Sequence, residues 1–332
     1  MIRFATIGTN FIVDLFLEAA GQCSRLMHTA VYSRSRDTGE QFAKKHGVNT
    51  VYTDLTELAE AEEIDAVYIA SPNFLHCEQA VLMLEHKKHV LCEKPICSNY
   101  KEFMRMRQAA LTNNVVLLEA MRPAYDPGMA AVKENLPKLG KIRRASFRFC
   151  QYSSRYDKFK VEQIENAFKP ELSNGALMDI GVYCVHPLLL LFGKPDRIQA
   201  DAVFLENGVD GEGTILAGYP DMLAELSYSK ITNGMAESEI QGEEGILIID
   251  RLVDPKELRI LYRKKEDEKI RLQKPENNML YEIEKWCDLI EEKLPSEEAL
   301  HISAMEMEMM DEVRRKLQIV FPADKVAEPV LP

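Results

Sequence analysis

The stretch Ile2-Arg3-Phe4-Ala5-Thr6-Ile7-Gly8-Thr9-Asn10-Phe11-Ile12-Val13-Asp14 decides how the first half of this chain is read. Residues 3–7 have the apolar character of a strand, and Gly8 ends it. A strand that runs through a glycine towards a helix opens a βαβ unit, whose loop can cradle a dinucleotide. Such a loop usually reads G-x-G-x-x-G, because glycines let the backbone approach a pyrophosphate. Only Gly8 is kept here. Asn10 stands where the second glycine would be, and asparagine tolerates the left-handed backbone better than most residues. Gly8, Thr9, Asn10, Phe11 and Ile12 are therefore expected to hold a cofactor. The weight of that reading rests on the pattern that follows.

Further strand candidates are residues 28–32, 66–69, 89–92 and 115–119. Helical patterns separate them at 38–46, 55–61, 75–85 and 100–113. Short apolar strands alternating with amphipathic helices indicate a parallel sheet covered on both faces. Ligands of such folds bind beyond the carboxyl ends of the strands. The second strand ends at Tyr32-Ser33-Arg34-Ser35-Arg36. NAD-selective enzymes usually carry an acid there for the ribose hydroxyls, but Asp37 comes late. Ser33 and Arg34 take the place, and a guanidinium suits a 2′-phosphate. NADP is thus the expected cofactor, with NAD the alternative. Ser71-Pro72-Asn73 follows the third strand, where Ser71 or Asn73 could cap a helix and meet the cofactor. His76 is read as facing the nicotinamide side or capping locally.

Two short motifs carry the chemistry. Glu93-Lys94-Pro95 ends the run Lys88-His89-Val90-Leu91-Cys92, and Gly175-Ala176-Leu177-Met178-Asp179-Ile180-Gly181-Val182-Tyr183 lies in the second half. With the βαβ pattern they suggest an oxidoreductase, in which a cofactor exchanges hydride while Lys94 and Tyr183 manage the proton. A phenol titrates near ~10, and a nearby ammonium favours phenolate. Lys94 would supply that field and hold the substrate oxygen. Asp179 lies four residues before Tyr183, so on a helix the two share a face. Asp179 could orient substrate or hold Lys94. Pro95 fixes φ where the chain leaves the strand. His186 is read mainly as packing within its helix.

Composition bounds the rest. A chain of 332 residues suggests two domains. The apolar fraction of 46% and charged fraction of 28% are those of a soluble globular protein. A net charge of −12 argues against general nucleic-acid binding. No apolar run approaches the ~20 residues of a membrane span, and no signal peptide is expected. Seven scattered cysteines argue for reduced thiols in the cytoplasm, with neither a disulfide framework nor a metal site.

Together these motifs resemble the glucose–fructose oxidoreductase, inositol dehydrogenase and rhizopine-catabolism (Gfo/Idh/MocA) family. The carriers are Gly8 through Ile12, Ser71-Pro72-Asn73 with His76, Glu93-Lys94-Pro95, and Gly175 through Tyr183. The resemblance implies an α/β chain: an N-terminal Rossmann domain and a C-terminal α/β domain with a large, open, mostly antiparallel sheet. It implies that the family lysine is Lys94 and its aspartate Asp179, with substrate between nicotinamide and the open sheet. Inositol dehydrogenases carry histidine four residues after the aspartate. Tyr183 stands here instead, as in the glucose–fructose oxidoreductase and dimeric dihydrodiol dehydrogenase branch; the segment looks closest to the dihydrodiol dehydrogenases, and that branch also tends to use NADP. Arg122, in Glu119-Ala120-Met121-Arg122-Pro123, is assigned to the cofactor side and is expected to favour an anionic or polyhydroxylated substrate. Glu93 and Lys94 complete the cofactor set.

The expected division is a dinucleotide-binding domain over 1–121 and a substrate-binding and dimerisation domain over 122–332, whose C-terminal helices can pack back on the first. Strand candidates of the second half are 142–152, 197–204, 214–218, 222–228, 236–241, 246–250 and 257–262, with helices at 278–294 and 303–318. Successive strands joined by Gly, Asp, Pro and Asn suggest an antiparallel sheet. Residues 152–168 read as a polar loop over the substrate, with Arg155, Tyr156 and Lys160 as specificity candidates. The family points to a homo-oligomer, a dimer or a dimer of dimers. The leading expectation is an NADP-dependent enzyme acting on a sugar, cyclitol or diol, a polyol or sugar-like small molecule. The competing ones are a cofactor-bound sensor without turnover and a reductase of a tetrapyrrole-like substrate.

Overall fold

The computed structural model describes residues 1–325. The first sheet alternates strands β1 (Ile2–Ile7), β2 (Leu26–Tyr32), β3 (Thr50–Tyr52), β4 (Ala66–Ile69), β5 (His89–Glu93) and β6 (Leu117–Ala120) with helices α1 (Phe11–Ala20), α2 (Arg36–Lys45), α3 (Leu55–Glu60), α4 (His76–Glu85) and α5 (Tyr100–Asn113). Its order is β3-β2-β1-β4-β5-β6, parallel throughout. The order reverses between β1 and β4, the switch point at which such sheets bind ligands. β4 is buried at every position, as expected for a strand covered on both faces. The short strand β3 was not foreseen, because three residues carry no readable period.

Helices α6 (Arg122–Tyr125) and α7 (Pro127–Asn135) lead to strand β7 (Ile142–Cys150) and helix α8 (Ser154–Phe159). A π-helical turn, Leu177–Gly181, then runs into α9 (Val182–Phe192). Strands β8 (Arg197–Phe204), β9 (Asp210–Gly218), β10 (Leu223–Ser229), β11 (Ser238–Gly242), β12 (Gly245–Ile249), β13 (Glu257–Tyr262) and β14 (Glu268–Arg271) follow, then helices α10 (Met279–Glu291) and α11 (Glu297–Leu317). The second sheet has eight strands in the order β14-β13-β12-β11-β7-β10-β9-β8. Every pair is antiparallel except β7 with β10. The α/β class with a parallel sheet followed by a mostly antiparallel one is as expected. β14 went unread among charged residues.

The described residues form two compact units: Met1–Arg122 with Pro275–Ala304, and Pro123–Lys274 with residues 305–325. In the first, α10 packs on α1, and its Ile283, Trp286 and Leu289 are buried. Asn277 donates to the Leu15 carbonyl at 2.8 Å, and Arg25 pairs with Asp288 at 2.5 Å. In the second, the π turn and α9 cover one sheet face, burying Phe147, Ile215, Ala224, Leu226 and Tyr228. On the other face Val203, Leu216 and Leu223 remain exposed. Among the described residues no helix is long and apolar enough to cross a membrane.

Candidate active site

In the first unit the cofactor-side residues converge at the carboxyl ends of one parallel sheet. Gly8 has φ +122°, and a Cβ there would lie 2.8 Å from the Ala70 carbonyl oxygen. The loop after β1 therefore lies against the end of β4 as only glycine allows. Asn10 does not take the left-handed conformation invoked for it; its backbone is extended, with φ −89° and ψ 173°. Its value lies in its side chain. The carboxamide oxygen accepts the Ile12 N–H at 2.9 Å, capping α1, while its NH2 donates to the Ala70 carbonyl at 2.8 Å. One asparagine thus ties the loop to β4 and leaves a helix N-terminus at the switch point, a favourable place for phosphate. Thr9 is half-buried and Phe11 is exposed beside it. These residues fit a dinucleotide.

At the end of β2, Ser33 is nearly buried, its hydroxyl accepting the Ser35 N–H at 3.3 Å. Ser35 in turn caps α2. Arg34 is exposed and makes no hydrogen bond or ion pair among the described residues, whereas Arg36 donates to the Val51 carbonyl. After β4, Ser71, Pro72 and Asn73 are half-buried, and the Ser71 hydroxyl donates to Gln79 at 2.6 Å. Asn73 opens a 3-10 turn, Asn73–Leu75, that leads into α4.

His76 is turned inward. It is buried, with Nδ1 3.0 Å from the Pro95 carbonyl and Nε2 2.9 Å from the Ser71 carbonyl. The ring therefore clamps the loop after β4 to the loop after β5, and it positions other groups instead of facing a ligand. Burial pushes its pKa down against these carbonyls.

Glu93 is buried, and the Tyr68 hydroxyl donates to it at 2.7 Å. Lys94 follows half-buried, its N–H also donating to the Glu93 carboxylate, and the Lys94–Pro95 peptide is cis. Glu119 secures the same loop by accepting the Ile96 N–H at 3.0 Å and the Ser303 hydroxyl at 2.6 Å. Burial pushes the Glu93 carboxyl up, opposed by Lys94, Tyr68 and Arg122. Glu282, on α10, is fully buried with both carboxylate oxygens unbonded, and burial raises it further, with the charge of Glu93 adding to the rise. Glu93, with two donors, is the better site for negative charge of the two, and Glu282 is the more strongly raised. Sequence reasoning missed Glu282, since nothing about a glutamate in an amphipathic helix reveals burial.

In the second unit the motif from Gly175 is built around a buried carboxylate. Asp210, at the start of β9, accepts the Leu177 N–H at 2.6 Å and so caps the π turn. Gly175 has φ +153°, and a Cβ there would lie 1.8 Å from Asp210 Oδ1. Burial raises the Asp210 carboxyl to about 6, against its backbone donors and Lys230. Asp179 belongs to the π turn and Tyr183 to α9. The wider i→i+5 turn changes the stacking expected of two residues four apart on an α-helix. The Asp179 carboxylate pairs with Lys230 at 2.8 Å. Tyr183, nearly buried, meets Phe149 edge-on at 5.5 Å. His186 does pack inside: it is buried, with Nδ1 2.6 Å from Glu306.

Residues 152–168 are more than a loop, since α8 and a 3-10 turn, Asn166–Phe168, lie within them. Lys160 pairs with Asp157 at 2.6 Å, Arg155 with Glu165 at 3.3 Å, and Tyr156 packs on Phe159 and Phe168. These specificity candidates thus support one another within the segment.

Comparison with known proteins gives this geometry its place. Residues 2–121 match the family described as "Oxidoreductase family, NAD-binding Rossmann fold", and residues 135–248 match the "GFO/IDH/MocA C-terminal domain". The chain is 49% identical to scyllo-inositol 2-dehydrogenase (NADP(+)) of Bacillus subtilis over 98% of its own length and 100% of that protein's. The chain belongs to the Gfo/Idh/MocA family. It is a nicotinamide-dependent oxidoreductase, as its motifs implied. It is also 28% identical to trans-1,2-dihydrobenzene-1,2-diol dehydrogenase of Mus musculus, over 98% of this chain and 99% of the mouse protein. Among solved structures, a 3-ketoreductase from Actinomadura kijaniata, in complex with NADP and TDP-benzene, has the same fold. Its TM-score is 0.85 at 22% identity, over 96% of this chain and 99% of that one.

Proposed function

We propose that this member of the family is an NADP-dependent dehydrogenase of a cyclitol, oxidising a ring secondary alcohol to a ketone. The observation that carries the reading is the 49% identity, end to end, to an NADP-dependent scyllo-inositol dehydrogenase. Arg34, exposed at the end of β2 and unpaired among the described residues, stands where NAD enzymes keep an acid, in agreement with the cofactor. When bound, the oxidised nicotinamide supplies the hydride acceptor. Tyr183 would receive the hydroxyl proton at its phenolic oxygen, and the Lys94 ammonium would steady the developing oxyanion. Asp179 accepts a hydrogen bond from a neighbouring ring hydroxyl. Gly8, Asn10 and the start of α1 would hold the pyrophosphate, with Thr9, Phe11, Ile12, Ser33, Ser71, Pro72, Asn73 and Arg122 also lending contacts to the cofactor and His76 and Glu93 supporting its loops.

The oligomer of this reading is a homodimer through the open sheet face. The cytoplasm is its setting, in keeping with seven free cysteines. The experiment is a turnover screen of purified protein with scyllo-inositol, myo-inositol, hexoses and trans-diols, each with NADP+ and NAD+. Cyclitol oxidation with NADP+ preferred is the expected result. Oxidation of trans-diols alone, or silence across the panel despite NADPH binding, overturns the reading.

A further inference from the structure

Lys230, just beyond β10, belongs to none of the motifs, yet its surroundings are built around it. Its side chain is only 2% exposed. The ammonium donates to the Ala167 carbonyl at 2.6 Å, pairs with Asp179 Oδ2 at 2.8 Å and lies 4.6 Å from the centre of the Phe168 ring. Its own backbone is pinned on both sides: its N–H donates to the Gly211 carbonyl, and its carbonyl accepts the Ser153 N–H, both at 2.9 Å. An ammonium this deeply buried is unfavourable unless its partners are well placed. The carboxylate it pairs with keeps 31% of its side-chain surface exposed. Asp179 is therefore gripped from within the unit while presenting itself to solvent.

We propose that Lys230 is a positioning residue that holds the Asp179 carboxylate ionised and aimed at the hydroxyls of the substrate. This rests on the reading of Asp179 as a substrate-facing group. The groups facing the ammonium are Asp179 from the π turn, Asp210 from β9, and the Ala167 carbonyl and Phe168 ring from the 3-10 turn. Tethered in this way, Asp179 enters the reaction already oriented, and little of its side-chain freedom is left to lose when substrate binds.

The test compares full-length wild type with Lys230→Met, Lys230→Arg and Asp179→Asn, using NADP+ and scyllo-inositol. Lys230→Met is expected to raise KM about 10-fold or more with a smaller change in kcat. NADPH affinity should stay unchanged. The acid limb of kcat/KM should move up by about one pH unit, because the lost cation lets Asp179 protonate more readily. Lys230→Arg keeps the cation and should return the limb to its wild-type position. A lysine that only stabilises the fold would lower the Tm of Lys230→Met and leave KM and the limb in place, and that result overturns the proposal. Wild-type kinetics in Asp179→Asn would instead remove Asp179 from the substrate. A readout independent of turnover is the titration of isotope-labelled aspartate carboxyls, with Asp179 assigned by its loss in Asp179→Asn. That titration must move up in Lys230→Met, and an unmoved one overturns the proposal whatever the substrate.

Discussion

In the proposed mechanism, cofactor choice turns on Arg34 and proton transfer on Tyr183. The Arg34 guanidinium is exposed and has no partner among the described residues, so it gives up no such bond by engaging a phosphate, and its removal should be felt by one cofactor only. Arg34→Ala is expected to weaken NADPH binding by about 10-fold or more, as for loss of a charge-assisted contact, with NADH little changed. Fluorescence titration of both cofactors checks this, and equal losses would remove Arg34 from the 2′-phosphate. Tyr183→Phe keeps the ring that packs on Phe149 and deletes only the hydroxyl. Its kcat should fall by ~10²-fold or more with cofactor affinity retained; unchanged turnover would take Tyr183 out of the mechanism. Asn10 marks the limit of reading at this scale. Its place in the loop was legible, but its reason was not, because the Ala70 carbonyl it bonds comes from another strand.

The turn that carries Asp179 depends on a contact between elements. Gly175 and Asp210 are far apart in sequence but share one volume, with the missing Cβ of Gly175 replaced by a carboxylate oxygen. Gly175→Ala is expected to destabilise the protein by about 2 kcal/mol or more, since it must displace the cap of the π turn. Denaturant unfolding measures it, and a loss within ~0.5 kcal/mol, the range of neutral surface changes, would refute the account. Asp210 also makes a pH prediction. Its carboxyl is raised from 3.8 to about 6 in the folded state, mainly by burial. The folded protein thus keeps this proton to higher pH than the unfolded chain. The group then costs stability as pH rises from about 4 through about 6, and the full cost persists above. Asp210→Asn cannot titrate, though its carboxamide oxygen can still accept the Leu177 N–H. Its stability relative to wild type should therefore rise across that window, by at most about 3 kcal/mol. A difference that stays flat with pH would show that Asp210 does not titrate there.

At the scale of the whole molecule, the open face of the second sheet is the surface proposed for association. Leu216, Leu223 and Val203 are exposed there beside the Arg144–Glu225 pair, a mixture of apolar centre and charge found at association surfaces. Light scattering at micromolar concentration is expected to give a dimer, and Leu216→Glu with Leu223→Glu a folded monomer. A wild-type monomer, or a dimer indifferent to these changes, would place association elsewhere or nowhere. The sequence by itself determined the alternation of strand and helix, the glycine turn after β1, the Glu93-Lys94-Pro95 ending of β5 and the strand-rich second half. Each of these is written in neighbouring residues as period, turn chemistry or motif. Only the tertiary structure decided that His76 faces inward, that α10 returns to α1, that Glu282 is buried beside Glu93, and that Lys230 and Asp210 support the turn bearing Asp179. Those roles arise where distant segments meet and water is excluded, and burial and the choice of charge partner have no local signature in the chain.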